Sequence, residues 1–230
     1  MKQIEWSKAY ESWGVSMAAL ERSYSPARLL DVLRRFLPAG ATAPVLELGS
    51  APGRWLAWIE RTLGLATVGI DLDAEGTRMS RRLFPGLRVL RGDAMRLPFP
   101  DRCFSSSFSL GLVEHFEDPA PILRETWRVL QPGGTVICSV PNLGKGTLMH
   151  WHWRATAPEH FTTHRPFTLD QLADLVESAG FIPVHREYNG LYVPHGQRIL
   201  GRVPGRRLLA RMESARSATS LVVVGRREGS

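Results

Sequence analysis

Between residues 44 and 140, short apolar runs alternate with amphipathic stretches in a steady rhythm, and this most narrows the fold. Residues 44–48, 67–70, 87–90, 103–110 and 135–140 read as strands, the fourth with an odd content of serine. Residues 54–63, 74–83 and 121–130 lie between them and carry helical patterning. Strands alternating with helices imply an α/β chain whose parallel sheet is covered on both faces. The tail differs. Thr168-Leu169-Asp170-Gln171 has the form of a capping box, opening a helix that runs to Ser178 with Gly180 just past it. Residues 181–188 and 221–225 then read as two strands with no helix between them. The final pair is therefore expected to be antiparallel, with the glycine-bearing connection 189–220 folded over one end of the sheet.

Ahead of this pattern, Trp6, Tyr10 and Trp13 fall at i, i+4 and i+7, one helical face that can close as a lid or pack as a core stripe. Ser25-Pro26 reads as an N-cap followed by proline at the first helical position. Leu29, Leu30, Leu33, Phe36 and Leu37 continue as a stripe ended by Pro38 and Gly40. The expected organisation is N-terminal helices over residues 1–40 and one domain over 41–230, with an acceptor-side insertion at about 142–167. A chain of 230 residues, 43% hydrophobic, suffices for one sizeable core. The start lacks a signal-peptide h-region, and no apolar run nears the ~20 residues of a membrane span. Cys103 and Cys138 form no Cys-x-x-Cys pair. A soluble cytoplasmic protein without a disulfide framework is expected. The net charge of +7 fits either an anionic partner, such as nucleic acid, or an arginine-rich solvated surface. It leans to the C-terminus, where Arg198, Arg202, Arg206, Arg207, Arg211, Arg216, Arg226 and Arg227 face only Glu213 and Glu228.

The segment Val45-Leu46-Glu47-Leu48-Gly49-Ser50-Ala51-Pro52-Gly53-Arg54 carries the strongest chemical signal. A strand runs into a turn of small residues and then a helix, the place where open α/β sheets bind ligands. Gly49 and Gly53 let the backbone approach a ligand closely. The dinucleotide fingerprint G-x-G-x-x-G fits poorly, since Ala51 and Arg54 stand where its second and third glycines belong. Asp71 ends the second strand, where a carboxylate can accept hydrogen bonds from both hydroxyls of a ribose, or else act as a helix N-cap. Asp93, in Gly92-Asp93-Ala94-Met95, lies at the same sheet end and could accept from an adenine amino group. Two further elements follow: Ser109-Leu110-Gly111-Leu112-Val113-Glu114-His115, and Arg128-Val129-Leu130-Gln131-Pro132-Gly133-Gly134 before the fifth strand.

In this order and spacing the five elements resemble the class I S-adenosylmethionine-dependent methyltransferases, and most of all their small-molecule branch that includes ubiquinone- and menaquinone-biosynthesis enzymes. The resemblance implies a Rossmann-like, seven-stranded, mostly parallel sheet with its last strand antiparallel. It implies S-adenosyl-L-methionine as cofactor and S-adenosyl-L-homocysteine as product. Glu47, Gly49, Ser50 and Gly53 would then lie near the methionine part, Asp71 on the ribose, Leu72 against the adenine, and Asp93 with Ala94 at the adenine edge. Leu110 and Gly111 would flank the methionine moiety, and His115 would lie near the reacting methyl. Ala51 departs from the glycine that many members carry, but it is small enough for binding to survive.

The sulfonium donor is already electrophilic, so the protein must chiefly hold a nucleophile in line and exclude water. A hydroxyl acceptor also needs a base, most often histidine. Of the seven histidines, His150, His152, His160 and His164 fall in one stretch after the fifth strand. The run His150-Trp151-His152-Trp153 reads as a lid over an aromatic or apolar acceptor or as a loop capping the core. His115, His152 and His160 are the catalytic candidates, with Glu159 a further base. Histidines at i, i+2 can ligate a metal in an extended segment, but no second ligand cluster is evident. Nor is there the acidic set of magnesium-dependent catechol enzymes, so a metal-independent reaction is expected. Ser109-Leu110-Gly111-Leu112 also lacks the Asn/Asp-Pro-Pro-aromatic run of adenine- and glutamine-directed enzymes. Methylation of a small organic acceptor at oxygen, nitrogen or carbon is the leading expectation. RNA or protein methylation through the basic C-terminus, and a cofactor-binding regulatory role, are the alternatives.

Overall fold

The computed structural model describes residues 20–21, 24–192 and 211–229. Within them α1 (Tyr24–Phe36), β1 (Val45–Leu48), α2 (Arg54–Leu63), β2 (Thr67–Asp71), α3 (Ala74–Leu83), β3 (Val89–Arg91) and β4 (Phe104–Leu110) succeed one another. There follow a 3-10 turn (Val113–His115), α4 (Ala120–Val129), β5 (Leu130–Pro141), α5 (Leu148–Thr156), a second 3-10 turn (Pro158–Thr162), α6 (Leu169–Ser178), β6 (Phe181–Leu191) and β7 (Ala218–Arg227). The strands form one sheet in the order β3-β2-β1-β4-β5-β7-β6. β1 to β5 are parallel, and β7 runs antiparallel to both β5 and β6. The strand order reverses at β1 and β4, which makes the switch point where such sheets take ligands.

Both faces are covered. Leu46, Leu48, Val68 and Ile70 pack with Ile122 and Leu123 of α4 and Leu172 and Val176 of α6. Val45, Phe108, Ile137 and Val222 pack on the other face with Leu30 and Leu33 of α1 and Trp58 and Ile59 of α2. The central strands β1 and β4 lie between these two apolar layers, which is why they read as continuous buried runs rather than alternating ones. Among the described residues no helix is long and apolar enough to cross a membrane.

Three local readings change. Ser25 lies inside α1 instead of capping it, and its hydroxyl pairs with Thr219 Oγ1 (2.9 Å) and donates to the Leu191 carbonyl. A tertiary contact has taken the group that the local pattern assigns to the cap. The run from His150 to Trp153 is neither loop nor extended segment but part of α5, because Thr147 Oγ1 accepts from His150 N–H and starts a helix there. Residues i and i+2 of a helix diverge, so these two histidines do not share a ligand. Arg227, counted with the basic tail, is buried, and its guanidinium donates to the carbonyls of Trp127, Arg128 and Leu130 at the end of α4. A cation there complements the helix C-terminus and is withheld from any external partner. Trp6, Tyr10, Trp13 and Arg198 to Arg207 lie outside the described residues.

Candidate functional site

The strand register brings the key residues to one edge. Leu48 pairs with Ile70 on one side and Ser109 on the other, so Gly49, Asp71 and Leu110 leave the sheet together. Gly49 N–H (2.9 Å) and Ser50 N–H (3.2 Å) both donate to the Ile70 carbonyl, which folds the turn back over β2. Gly49 (φ 71°) and Gly53 (φ 86°) adopt left-handed backbone that other residues adopt only under strain. Gly53 precedes α2 with no side-chain cap, which leaves the first N–H groups of that helix facing the turn.

Asp71 locks this turn in place. Its Oδ2 accepts from Ala51 N–H (3.0 Å) and its Oδ1 from Asp73 N–H (2.9 Å). Burial pushes its carboxyl up from the ordinary value, and these N–H groups pull it back. The helix cap is Asp73, which accepts from Glu75 and Gly76. Asp71 is therefore not a cap, and each oxygen keeps a second lone pair for a ligand hydroxyl. Glu47 is fully buried, and desolvation holds its carboxyl well above the usual range, with Arg54 lowering it and Asp71 raising it. Its Oε2 and the Ser50 Oγ are buried with no hydrogen-bond partner among the described residues. Leu72 is 57% exposed beside Asp71, an apolar surface on which a flat ring can lie. Asp93 is exposed, with Oδ1 accepting from Met95 N–H (2.8 Å), and Ala94 beside it is buried. Arg128 fixes the segment that follows by donating to the carbonyls of Leu97 (3.0 Å) and Phe99 (2.8 Å) while paired with Glu125 and Asp101. Orphaned buried oxygens, a glycine turn, a strand-end carboxylate and an apolar ledge form a donor set that fits a nucleoside joined to an amino acid.

Beyond Leu110, the chain turns through Gly111 into Val113–His115. Glu114 is buried, with desolvation raising its carboxyl to about 8, and its Oε2 has no hydrogen-bond partner among the described residues. His115 Nδ1 lies 2.8 Å from the Thr163 carbonyl, and its ring lies 4.4 Å from that of His164. Trp153 packs 5.6 Å from His164. His152 belongs elsewhere: its Nδ1 lies 2.5 Å from the Tyr192 hydroxyl. Glu159 is exposed in the second 3-10 turn; His160 shares that turn, and its side chain lies outside the described residues. The structure thus joins His115 to Glu114 and His164, two residues outside the sequence-derived candidates, and sets His152 against Tyr192. The sequence signal for His164 is weak, since it reaches the site only because Arg165 N–H donates to the Glu114 carbonyl (2.7 Å) ahead of α6.

Comparison with known proteins agrees with this geometry. Residues 46–138, which hold the turn, both strand-end acids and Glu114, match the family of methyltransferase domains. This stretch resembles the class I S-adenosylmethionine-dependent methyltransferases. A methyltransferase of Mycolicibacterium smegmatis, named as probably S-adenosylmethionine-dependent, is 29% identical over 70% of this chain and 60% of its own length. The demethylmenaquinone methyltransferase of Chlorobaculum tepidum is 30% identical over 50% of this chain and 48% of its own. A Thermotoga maritima methyltransferase structure superposes with a TM-score of 0.70 at 20% identity, covering 96% of each chain. The chain thus spans six-tenths or less of the length of these curated relatives, while its fold matches a solved structure nearly end to end.

Proposed function

We propose that this methyltransferase moves the methyl group of S-adenosyl-L-methionine to a small organic acceptor. The observation that carries the reading is the conjunction of the Gly49 turn, the orphaned Glu47 and Ser50 oxygens and Asp71 at one sheet edge. Glu47, Gly49, Ser50 and Gly53 hold the methionine part, Asp71 the ribose, Leu72 the adenine face, and Asp93 with Ala94 its edge; Leu110 backs the sulfonium. The acceptor enters from the side of the 3-10 turn, past Trp153, Tyr192 and Phe161. Those aromatic groups cluster with Leu143 and Met149, which suits an apolar or aromatic body. The small-molecule enzyme named among the relatives favours the same class. Transfer is a displacement at carbon: the acceptor's lone pair forms the new bond to the methyl carbon, the electrons of the C–S bond return to sulfur, and S-adenosyl-L-homocysteine leaves. The protein supplies alignment and dryness, which can account for ~7–11 kcal/mol of a barrier. His115 closes the 3-10 turn that follows Leu110, and where no metal ion holds that ring its Nε2 can take a proton from a hydroxyl acceptor. The test is calorimetry with S-adenosyl-L-methionine, followed by an acceptor panel read out as S-adenosyl-L-homocysteine release. Saturable binding with turnover of at least one small acceptor is the expected result. Absence of cofactor binding ends the reading.

A further inference from the structure

Glu114, His115 and His164 each bring one ligand atom to within 4.8 Å of the others. The two histidines come from segments far apart in sequence, and the hydrogen bond from Arg165 N–H to the Glu114 carbonyl fastens those segments together. The His115 side chain is 8% exposed and that of Glu114 is 2%. A carbonyl oxygen can only accept, so the contact with Thr163 puts the His115 proton on Nδ1 and its lone pair on Nε2. That nitrogen lies 3.9 Å from Glu114 Oε1. Histidine ligands of metals are held in this way, with the far ring nitrogen donating to a backbone carbonyl. Four ligands at ~2.0–2.2 Å in a tetrahedron sit about 3.4 Å apart, so the 3.9 Å pair closes on an ion by about half an ångström and a pair at the 4.8 Å bound by about 1.4 Å. The second Glu114 oxygen is also buried and without a hydrogen-bond partner among the described residues.

We propose that Glu114, His115 and His164 bind one divalent transition ion, with zinc and cobalt the best-fitting examples. Two imidazoles and one carboxylate are the ligand set of open zinc sites and a poor one for magnesium, which prefers oxygen. The sequence suggests no such ion because the three residues converge only in the fold. Three protein ligands leave one position open. The site abuts the end of β4, since a Cβ placed on Gly111 would lie 3.4 Å from Glu114 Oε1. If the proposed transferase reading holds, that position takes the acceptor's oxygen. The hydroxyl proton leaves to solvent on binding, the oxygen pair forms the bond to the methyl carbon, and the C–S pair returns to sulfur.

The experiment uses untagged, chelator-stripped protein titrated with Co(II) by visible absorption and with Zn(II) by calorimetry. One equivalent is expected, with ligand-field bands of a four- or five-coordinate ion. Glu114→Gln and His164→Asn should each weaken binding by tenfold or more while circular dichroism stays unchanged, and His185→Ala on β6 should leave it intact. Binding weaker than millimolar in the folded wild type overturns the site. So does an affinity unaltered in both ligand variants, or loss of binding in His185→Ala. Calorimetry of the same stripped protein with S-adenosyl-L-methionine separates the two readings. Cofactor binding without ion binding removes the metal site alone, whereas ion binding without cofactor binding supports the site and removes the transferase reading.

Discussion

Glu47 and Asp71 are both buried acids at the rim of the same turn, but they differ in what surrounds them. Asp71 has two backbone N–H donors, whereas one Glu47 oxygen has no hydrogen-bond partner among the described residues, and burial raises its carboxyl well above the usual range. The folded chain therefore holds the Glu47 proton more tightly than the unfolded chain does. That contribution to stability is complete below the ordinary carboxylate range and is lost as pH rises through the folded value. Glu47→Gln keeps the shape without a charge to ionise, so it should flatten the decline. Urea midpoints at about pH 5 and about pH 8 measure this, and equal declines in the variant and the wild type would clear Glu47 as the source. At Asp71 the expected effect falls on the ligand. Asp71→Ala should weaken S-adenosyl-L-methionine binding by more than tenfold, about 1.4 kcal/mol or more, as read by calorimetry. An unchanged affinity would move the ribose elsewhere.

Elements are legible in the sequence where their signals are local. The capping box at α6 is formed in full, with Thr168 Oγ1 accepting from Gln171 N–H and the Gln171 side chain accepting from Thr168 N–H. Thr168→Ala should cost about 1 kcal/mol, seen as a lower denaturation midpoint at unchanged cooperativity. The strands ending at Leu48 and Asp71 are readable because a central parallel strand, buried on both faces, is a continuous apolar run. β5 begins earlier than its apolar run, since Leu130 already pairs with Phe104 and the glycine turn that follows lies inside the ladder at a register shift. The helix α5 is hidden because alternating histidine and tryptophan imitate a strand, while the cap at Thr147 lies outside that run. Gly69 shows what sequence cannot tell about packing between elements. A Cβ there would meet Ser50 Oγ at 2.5 Å and Leu56 Cδ1 at 2.6 Å, so β2 can approach the turn and α2 only without one. Gly69→Ala should destabilise by about 1–3 kcal/mol in chemical denaturation and weaken the cofactor through the displaced turn.

At the scale of the whole molecule, the gathering of Gly49, Asp71, Asp93 and Leu110 is readable from sequence and that of Glu114 with His164 is not, for one physical reason. Gly49, Asp71, Asp93 and Leu110 each lie at or just past the end of a strand, so a parallel sheet gathers them at one edge whatever else the chain does. Glu114 and His164 meet only because the segment before α6 folds back across the end of β4, and nothing local in either stretch announces it. The edge that gathers Gly49, Asp71, Asp93 and Leu110 joins strands whose flanking helices lie on opposite faces of the sheet. A ligand held there ties both layers to the turn and should stabilise the fold as a unit. With free ligand at a hundred times its dissociation constant, binding to the native state alone adds about 2.7 kcal/mol. For a domain of this size each kcal/mol raises the melting temperature by roughly 2–4 °C, so saturating S-adenosyl-L-methionine should raise it by about 5–11 °C. Asp71→Ala at the same ligand concentration should show a much smaller rise, because its occupancy falls. A melting curve indifferent to the cofactor would mean that the sheet edge does not hold it, however well the fold agrees with its relatives.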